Sequence, residues 1–479
     1  MSLTLSKTRS EKPKAESRAD VLPFSKTVRL MLPKIGVGYL FAMLTSVYDR
    51  VMINELGLAA TLVGFLLLVH NLMSILQVMN GRLSDRRSLF GLRRTPFMIL
   101  GLLIAAVSLV ALPHVVTMYA NGNTSALLLM IAVMIVFGFG FAMCGDAHNT
   151  LIAEMTEGKK NRSSVVSMVW VFTILSSIIC AIVISIVLQS MDTAAGAPKA
   201  CLTEACNAIR KDVAIAWMPF FFAIGPIVAF VGLLPLLGLE KRLTKDELAH
   251  AALRPEINIK QAYTRIFSNA QARVFFFFVF ISIFALFLQD DILESFGADV
   301  FKMSAAQTTQ LQPVMGGATL LAMLVMGMVA SKVQIQKRTI ANWGALISAA
   351  GFVLLAACAM LQLRALLTPA LIVLGAGMGA FNIGALSMMM DMTVPGEAGS
   401  LMGAWGMAQA LANGLSQVAG GFMRDAGLML TGSMTATYAT IFSASVVLCV
   451  VAVNLMAHVD VQKFRRMTRE QLGLVIEAA

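Results

Sequence analysis

GFGFAMCGDAHNTLIAEMT (138–156) and GAGMGAFNIGALSMMMDMT (375–393) lie 237 residues apart and align without a gap. Gly138, Gly140, Met155 and Thr156 recur as Gly375, Gly377, Met392 and Thr393, and Glu154 recurs as Asp391. Each segment closes an uncharged run long enough to cross a bilayer core of about 30 Å, which needs about 20 apolar residues in a helix. Two such segments at matching places imply one design used twice along the chain.

Composition agrees with a membrane protein: 58% of the 479 residues are hydrophobic, 13% are charged, and the mean hydropathy is +0.79, far above ordinary soluble domains. Uncharged runs bounded by charge or turn residues predict twelve transmembrane helices. Six cover 28–48, 59–81, 95–117, 125–153, 163–190 and 213–238; six more cover 273–292, 306–331, 338–362, 367–391, 399–424 and 430–458. The fold class is therefore an all-α membrane protein with a 6+6 pseudo-twofold repeat. Its expected parts are an N-terminal tail (1–27), a six-helix bundle (28–238), a linker (239–272), a second six-helix bundle (273–458) and a C-terminal tail (459–479).

Basic residues are retained on the cytoplasmic side of a membrane. With residue 1 cytoplasmic, 30 of the 37 Lys and Arg fall on that side, and Arg50, Lys199, Arg210, Lys211, Lys302, Arg364 and Arg424 fall outside. Both termini are thus expected in the cytoplasm. The net charge of +11 follows from this bias, and no basic soluble domain is present that would suit nucleic acid. Residues 1–27 are polar and lack the apolar core of a cleavable signal. Cys201 and Cys206 share an expected outer loop, where a disulfide and two free thiols are both open readings.

Two further echoes join the halves. GRLSDRRSLFGLRR (81–94) has a degraded counterpart in GMVASKVQIQKR (327–338), and YDRVMINELG (48–57) matches QDDILESFG (289–297) more faintly. The first loop, with Gly81, Asp85, Arg86, Arg93 and Arg94, resembles the cytoplasmic signature loop of the major facilitator superfamily. Glycine there permits close helix approach, the acid suits a helix N-terminus or an arginine, and the arginines hold the loop inside.

Within that superfamily the chain resembles the PucC-type family of light-harvesting complex assembly and bacteriochlorophyll delivery proteins. The resemblance rests on DRVMINELGLAATLVG (49–64), GRLSDRRSLFGLRRTPFM (81–98), LQDDILESFGADVFKMSAAQTTQL (288–311) and SLMGAWGMAQALANGLSQVAGG (400–421). It implies a photosynthetic antenna assembly factor that delivers (bacterio)chlorophyll to nascent light-harvesting polypeptides in the cytoplasmic or intracytoplasmic membrane of a phototroph.

Ionisable groups within spans cost roughly 2.5–3.5 kcal/mol at a helix centre and need a partner, a cavity or a function. Asp146 and His148 are two residues apart and point to opposite faces, whereas Asp146, Asn149 and Thr150 share one. That stripe suits either a neighbouring helix or a polar pocket. His148, beside Cys144 and Gly145, and His70, in LLLVHNLMSILQ, are candidate axial ligands for a chlorophyll magnesium, since a neutral imidazole binds metals readily; a hydrogen bond to a backbone carbonyl is the alternative for each. At the outer ends of spans one and seven, Asp49, Arg50 and Glu55 face Gln289, Asp290, Asp291 and Glu294 across the repeat axis. Either Arg50 latches onto Asp290 or Asp291, or the group is a solvated loop.

No histidine or cysteine cluster, phosphate loop or nucleophile elbow suggests catalysis or a tightly held free metal. The functional readings left are a pigment carrier, a proton-coupled or facilitative transporter using Asp146 or Glu154, and a pigment-free scaffold for antenna helices.

Overall fold

The computed structural model describes residues 21–73, 89, 91–156, 159, 161–198, 203–242, 268–333, 335–392, 398–464 and 466–467. Gly81, Asp85, Arg86 and Cys201 lie outside the described residues, as do most of the expected linker and tails. Cys206 is disulfide-bonded.

The described chain is helical, apart from one isolated bridge between Leu89 and Leu92. The first membrane helix, α1, covers 24–55; it is built from Phe24–Met31, Pro33–Ala42 and two π-helical turns, Met43–Tyr48 and Val51–Glu55. Then come α2 (Ala60–Leu72), α3 (Thr95–Ala120), α4 (Ala126–Thr156), α5 (Arg162–Ala194) and α6 (Glu204–Leu233). The second series is α7 (Ala270–Phe301), α8 (Leu311–Lys332), α9 (Lys337–Leu361), α10 (Arg364–Asp391), α11 (Ala398–Thr431) and α12 (Met434–Ala457).

Among the described residues, ten of these helices are long and apolar enough to cross a membrane. The two others stand at the places expected for spans two and eleven. The described part of α2 is short, and α11 has 34 residues but is diluted by Gln409, Asn413, Ser416 and Gln417, the last two buried inside the protein. The protein is a multi-pass membrane protein.

The repeat is visible in the packing. Within the first half α3 packs on α4, α1 on α5 and α6, α3 on α6, and α2 on α4; in the second half α9 packs on α10, α7 on α11 and α12, α9 on α12, and α8 on α10. The halves meet through α2 against α11 and α5 against α8. Two apolar cores result, one built from residues of α1–α6 with Ala305 and Ala306, the other from α7–α12 and the segment after it.

The repeated glycines set this packing. A Cβ on Gly140 would lie 2.6 Å from the Gly101 carbonyl of α3, and one on Gly377 would lie 2.3 Å from the Ser348 nitrogen of α9. Gly138 meets α2 at the His70 carbonyl and Gly375 meets α8 at the Met315 carbonyl, at 2.7 and 2.3 Å. The same position in each half lets the same pair of helices touch backbone to backbone, the small-residue mode of membrane packing. Gly377→Val forces α9 and α10 apart and lowers stability by about 1–3 kcal/mol, the usual cost of overpacking. Denaturant unfolding in mild detergent measures this, and a wild-type midpoint would contradict it.

Two helices run further than the sequence suggests. The expected spans end at residues 48 and 292, yet α1 continues to Glu55 and α7 to Phe301. The acids stay in the helices because they face the other half of the protein instead of lipid or water.

Candidate functional site

With α1 starting at the proximal end of the bundle, the polar residues of α1 and α7 fall in its distal half. Asp49 and Glu294 are 0% exposed, and Gln289, Arg50, Glu55, Asp290 and Asp291 are also buried. The solvated-loop reading of this group is therefore corrected. Asp49 lies close enough to Asp291 and Glu294 for their charges to act on one another across the two halves. One of its oxygens accepts from the Arg50 backbone N–H at 2.7 Å. Asp49 Oδ2, Asp291 Oδ2, both Glu294 carboxylate oxygens and the Tyr48 hydroxyl have no hydrogen-bond partner among the described residues. A buried carboxylate in that condition is stable only when it carries a proton or meets a cation. The two π-helical turns on either side of Asp49 and Arg50 mark the segment further, since such turns concentrate at functional sites.

Arg50 does not latch onto Asp290 or Asp291. Its guanidinium pairs with Glu55 and donates to the Met303 carbonyl at 3.0 Å. Asp290 instead accepts from Gln312 at 3.4 Å.

A chain of side-chain amides leads from these acids to the middle of the bundle. Gln417 of α11 donates to Asp291 at 3.3 Å and accepts from Asn71 of α2 at 2.8 Å. Next to Asn71 stands His70, about 15 Å along α2 from its distal start at 1.5 Å per residue. The imidazole is half-buried and tilts against Phe137 and Phe141 of α4, with ring centroids 5.2 and 5.9 Å away. Those two phenylalanines stack on each other at 5.7 Å. Gly138, one residue from Phe137, lets α4 come close enough for this arrangement. His70 Nδ1 is buried.

His148 has a different setting. It is 1% exposed, and its Nε2–H donates to the Leu30 carbonyl at 2.8 Å. Pro33 has no N–H and interrupts the ladder of α1 nearby, and the imidazole of α4 fastens α1 at that break. This is the backbone hydrogen bond that the sequence left open as the alternative to metal ligation. Asp146 and Asn149 lie on the more exposed face of α4, and the Thr150 hydroxyl donates to the Asp146 carbonyl at 2.9 Å. Among the described residues no hydrogen bond or ring contact joins His148 or Asn149 to His70.

The sequence reading passed over Lys34. This residue of α1 is buried, lies close enough to His148 and Cys144 for its charge to act on them, and sits 5.7 Å from the Trp170 ring centroid. Its signal was available as one lysine within an apolar run.

The two ends are fastened differently. Distally, Asp299 of α7 accepts from Arg424 Nη2 and the Tyr438 hydroxyl, both at 2.7 Å, and from Asn54 of the other half at 2.7 Å. Asp425 accepts from the backbone nitrogens of Ala60 and Thr61 at 3.2 and 2.8 Å, capping the orphan donors of α2 from across the interface. Proximally, Arg94 pairs with Glu154 at 2.7 Å and Lys337 with Asp391 at 2.8 Å. These two bridges are the repeat written as ion pairs, and Glu154 is thereby a structural partner. Arg93 also reaches Glu154, at 3.5 Å.

Glu240 accepts from the backbone nitrogens of Arg93, Arg94 and Thr95 at 2.7–2.9 Å, closing the start of α3. Glu240→Ala costs about 1–2 kcal/mol, as for a lost helix cap. The check is the unfolding midpoint, and no change would show that water replaces the carboxylate.

Solved structures share this architecture. The nucleoside transporter NupG superposes with a TM-score of 0.64 at 15% identity, covering 90% of this chain and 98% of that one. A D-xylose-proton symporter gives 0.65 at 18% identity, covering 90% and 97%. At such identities the likeness shows the fold alone, that of the major facilitator superfamily. By sequence, the chain is 28% identical over 430 residues to the "Bacteriochlorophyll synthase 44.5 kDa chain" of Rhodobacter capsulatus, covering 88% of this chain and 92% of the relative. It is 24% identical to "Protein PucC" of Rhodovulum sulfidophilum, covering 86% and 88%. The family described as "PUCC protein" matches residues 47–464, from the buried acids of α1 to beyond α12. The chain belongs to the PUCC protein family.

Proposed function

We propose that this protein is a carrier of chlorophyll-type pigment in antenna assembly. It binds (bacterio)chlorophyll within the bilayer and hands it to nascent single-span light-harvesting polypeptides. Its place is the cytoplasmic or intracytoplasmic membrane of a phototroph, with both termini in the cytoplasm. It moves pigment without making or breaking covalent bonds and is not an enzyme.

The observation that carries this reading is His70: a half-buried imidazole well inside α2 that packs against two phenylalanines stacked on each other. A neutral imidazole is a good axial ligand for the pigment's magnesium, and flat aromatic side chains suit a flat macrocycle. His70 would hold the metal, and Phe137 and Phe141 would line the ring. The family relation supports the pigment class, because a relative bears the name of a bacteriochlorophyll synthase chain.

The test is transfer. Protein loaded with bacteriochlorophyll in mild detergent is mixed with antenna polypeptide, and pigment is followed by its absorption. The expected result is a shift to the antenna spectrum that depends on His70; pigment that never leaves, or never binds, would sink the proposal.

A second reading, proton-coupled or facilitative transport of a small solute, draws on the buried acids. Asp49, Asp290, Asp291 and Glu294 are buried protonatable groups of the distal half. Counterflow in liposomes that is lost on Asp291→Asn would favour it.

A further inference from the structure

The distal end holds a cavity of about 350 Å³ between the halves, within the roughly 300–1,000 Å³ range of small-molecule sites. Four cations line it, Arg50, Arg210 and Lys211 from the first half and Lys302 from the second, against two acids, Glu55 and Asp299. Both acids are already engaged. Glu55 is paired with Arg50, and Asp299 is matched by Arg424, which stands outside the lining.

The cations are less fully used. Arg210 is buried, and its guanidinium hydrogen bonds go to the Pro198 carbonyl at 2.7 Å and the Asn207 amide oxygen at 3.4 Å. Asp192 acts on it and on Arg50 only through its charge. Arg50 is 4% exposed, and its Nε has no hydrogen-bond partner among the described residues. Lys211 and Lys302 are exposed at the rim. Lys302 holds a left-handed backbone (φ 54°) at the end of α7, so the chain accepts a strained residue to turn at this point.

We propose that this cavity binds a phosphate-bearing headgroup, clamped by Arg210 and Lys211 of one half and Lys302 of the other. An anion with several oxygens satisfies donors arriving from two directions, as arginine and lysine do at phosphate sites. At ~30 Å³ per water the cavity holds about a dozen waters, so it takes the organic group that carries the phosphate as well. Because the clamp spans both halves, a bound headgroup holds the distal end shut. The site is separate from His70 and stands or falls independently of the pigment reading.

The phosphate has two sources, a soluble monoester or a membrane lipid, and two probes separate them. Purified protein in mild detergent is titrated with sn-glycerol 3-phosphate by calorimetry. In parallel, protein extracted from phosphatidylcholine vesicles containing phosphatidylglycerol is examined by native mass spectrometry. The comparison variant is Lys211→Gln/Lys302→Gln, whose exposed side chains are not needed for folding. Saturable binding of glycerol 3-phosphate, weakened about tenfold or more in the variant, supports an aqueous ligand. Retained phosphatidylglycerol, lost from the variant, supports a lipid. Failure of wild type to hold either probe, or equal binding by wild type and a folded variant, overturns the proposal.

Discussion

Asp299→Ala lowers the stability of the folded protein by about 3–5 kcal/mol, the cost of breaking a buried ion pair by removing one partner. Asp299 is the acceptor on which Arg424, Tyr438 and Asn54 converge. Without it, Arg424 remains buried with only Asp425, at 3.4 Å, to answer its charge. The Tyr438 hydroxyl loses its acceptor, and the Asn54 link between the halves disappears. Asp299→Asn keeps an acceptor oxygen and removes the charge, so it costs less than alanine. Denaturant unfolding in mild detergent reads both variants. A loss below ~1 kcal/mol for Asp299→Ala would mean that the distal network is solvated and contributes as little as a surface pair.

His70→Ala removes pigment from the purified protein, whereas His148→Ala leaves pigment in place and costs stability. The difference follows from what each imidazole touches. His148 gives its Nε2–H to Leu30, and losing it leaves a buried carbonyl unpaired, a penalty of about 1–3 kcal/mol. His70 stands half-buried beside Phe137 and Phe141. If it is the magnesium ligand, alanine lowers pigment content at least about tenfold, for about 1.4 kcal/mol of binding. His70→Gln, which keeps a polar atom, retains more pigment than alanine. Equal pigment in wild type and His70→Ala would remove His70 from the site.

How far each feature was legible in the sequence depended on whether it repeats. The glycines of α4 and α10 and the acids at their ends recur at one offset, so the two halves could be read from the sequence; the ion pairs of those acids could not, because Arg94 and Lys337 stand 60 and 54 positions away from them. The hydropathy of α3 or α9 likewise announces a span without ambiguity. The far ends of spans one and seven were less legible. Asp49, Arg50 and Glu55, like Glu294 and Asp299, sit within helices whose polar faces meet at the interface of the halves, and a hydropathy scan cannot separate that interface from water. The Gln417–Asn71 contact was hidden for a related reason: residues 346 positions apart touch only because α2 and α11 cross. The two histidines illustrate the limit for sites. Each lies in an apolar run, and nothing local in either sequence says that one meets the Leu30 carbonyl while the other meets two phenylalanines.

The most direct measurement of the central claim is the absorption spectrum of the wild-type protein purified from a phototrophic host in mild detergent, set against its protein concentration. The account predicts a reproducible, stoichiometric chlorophyll-type band that His70→Ala removes from a folded protein. A colourless wild-type protein that still holds antenna polypeptides would contradict it.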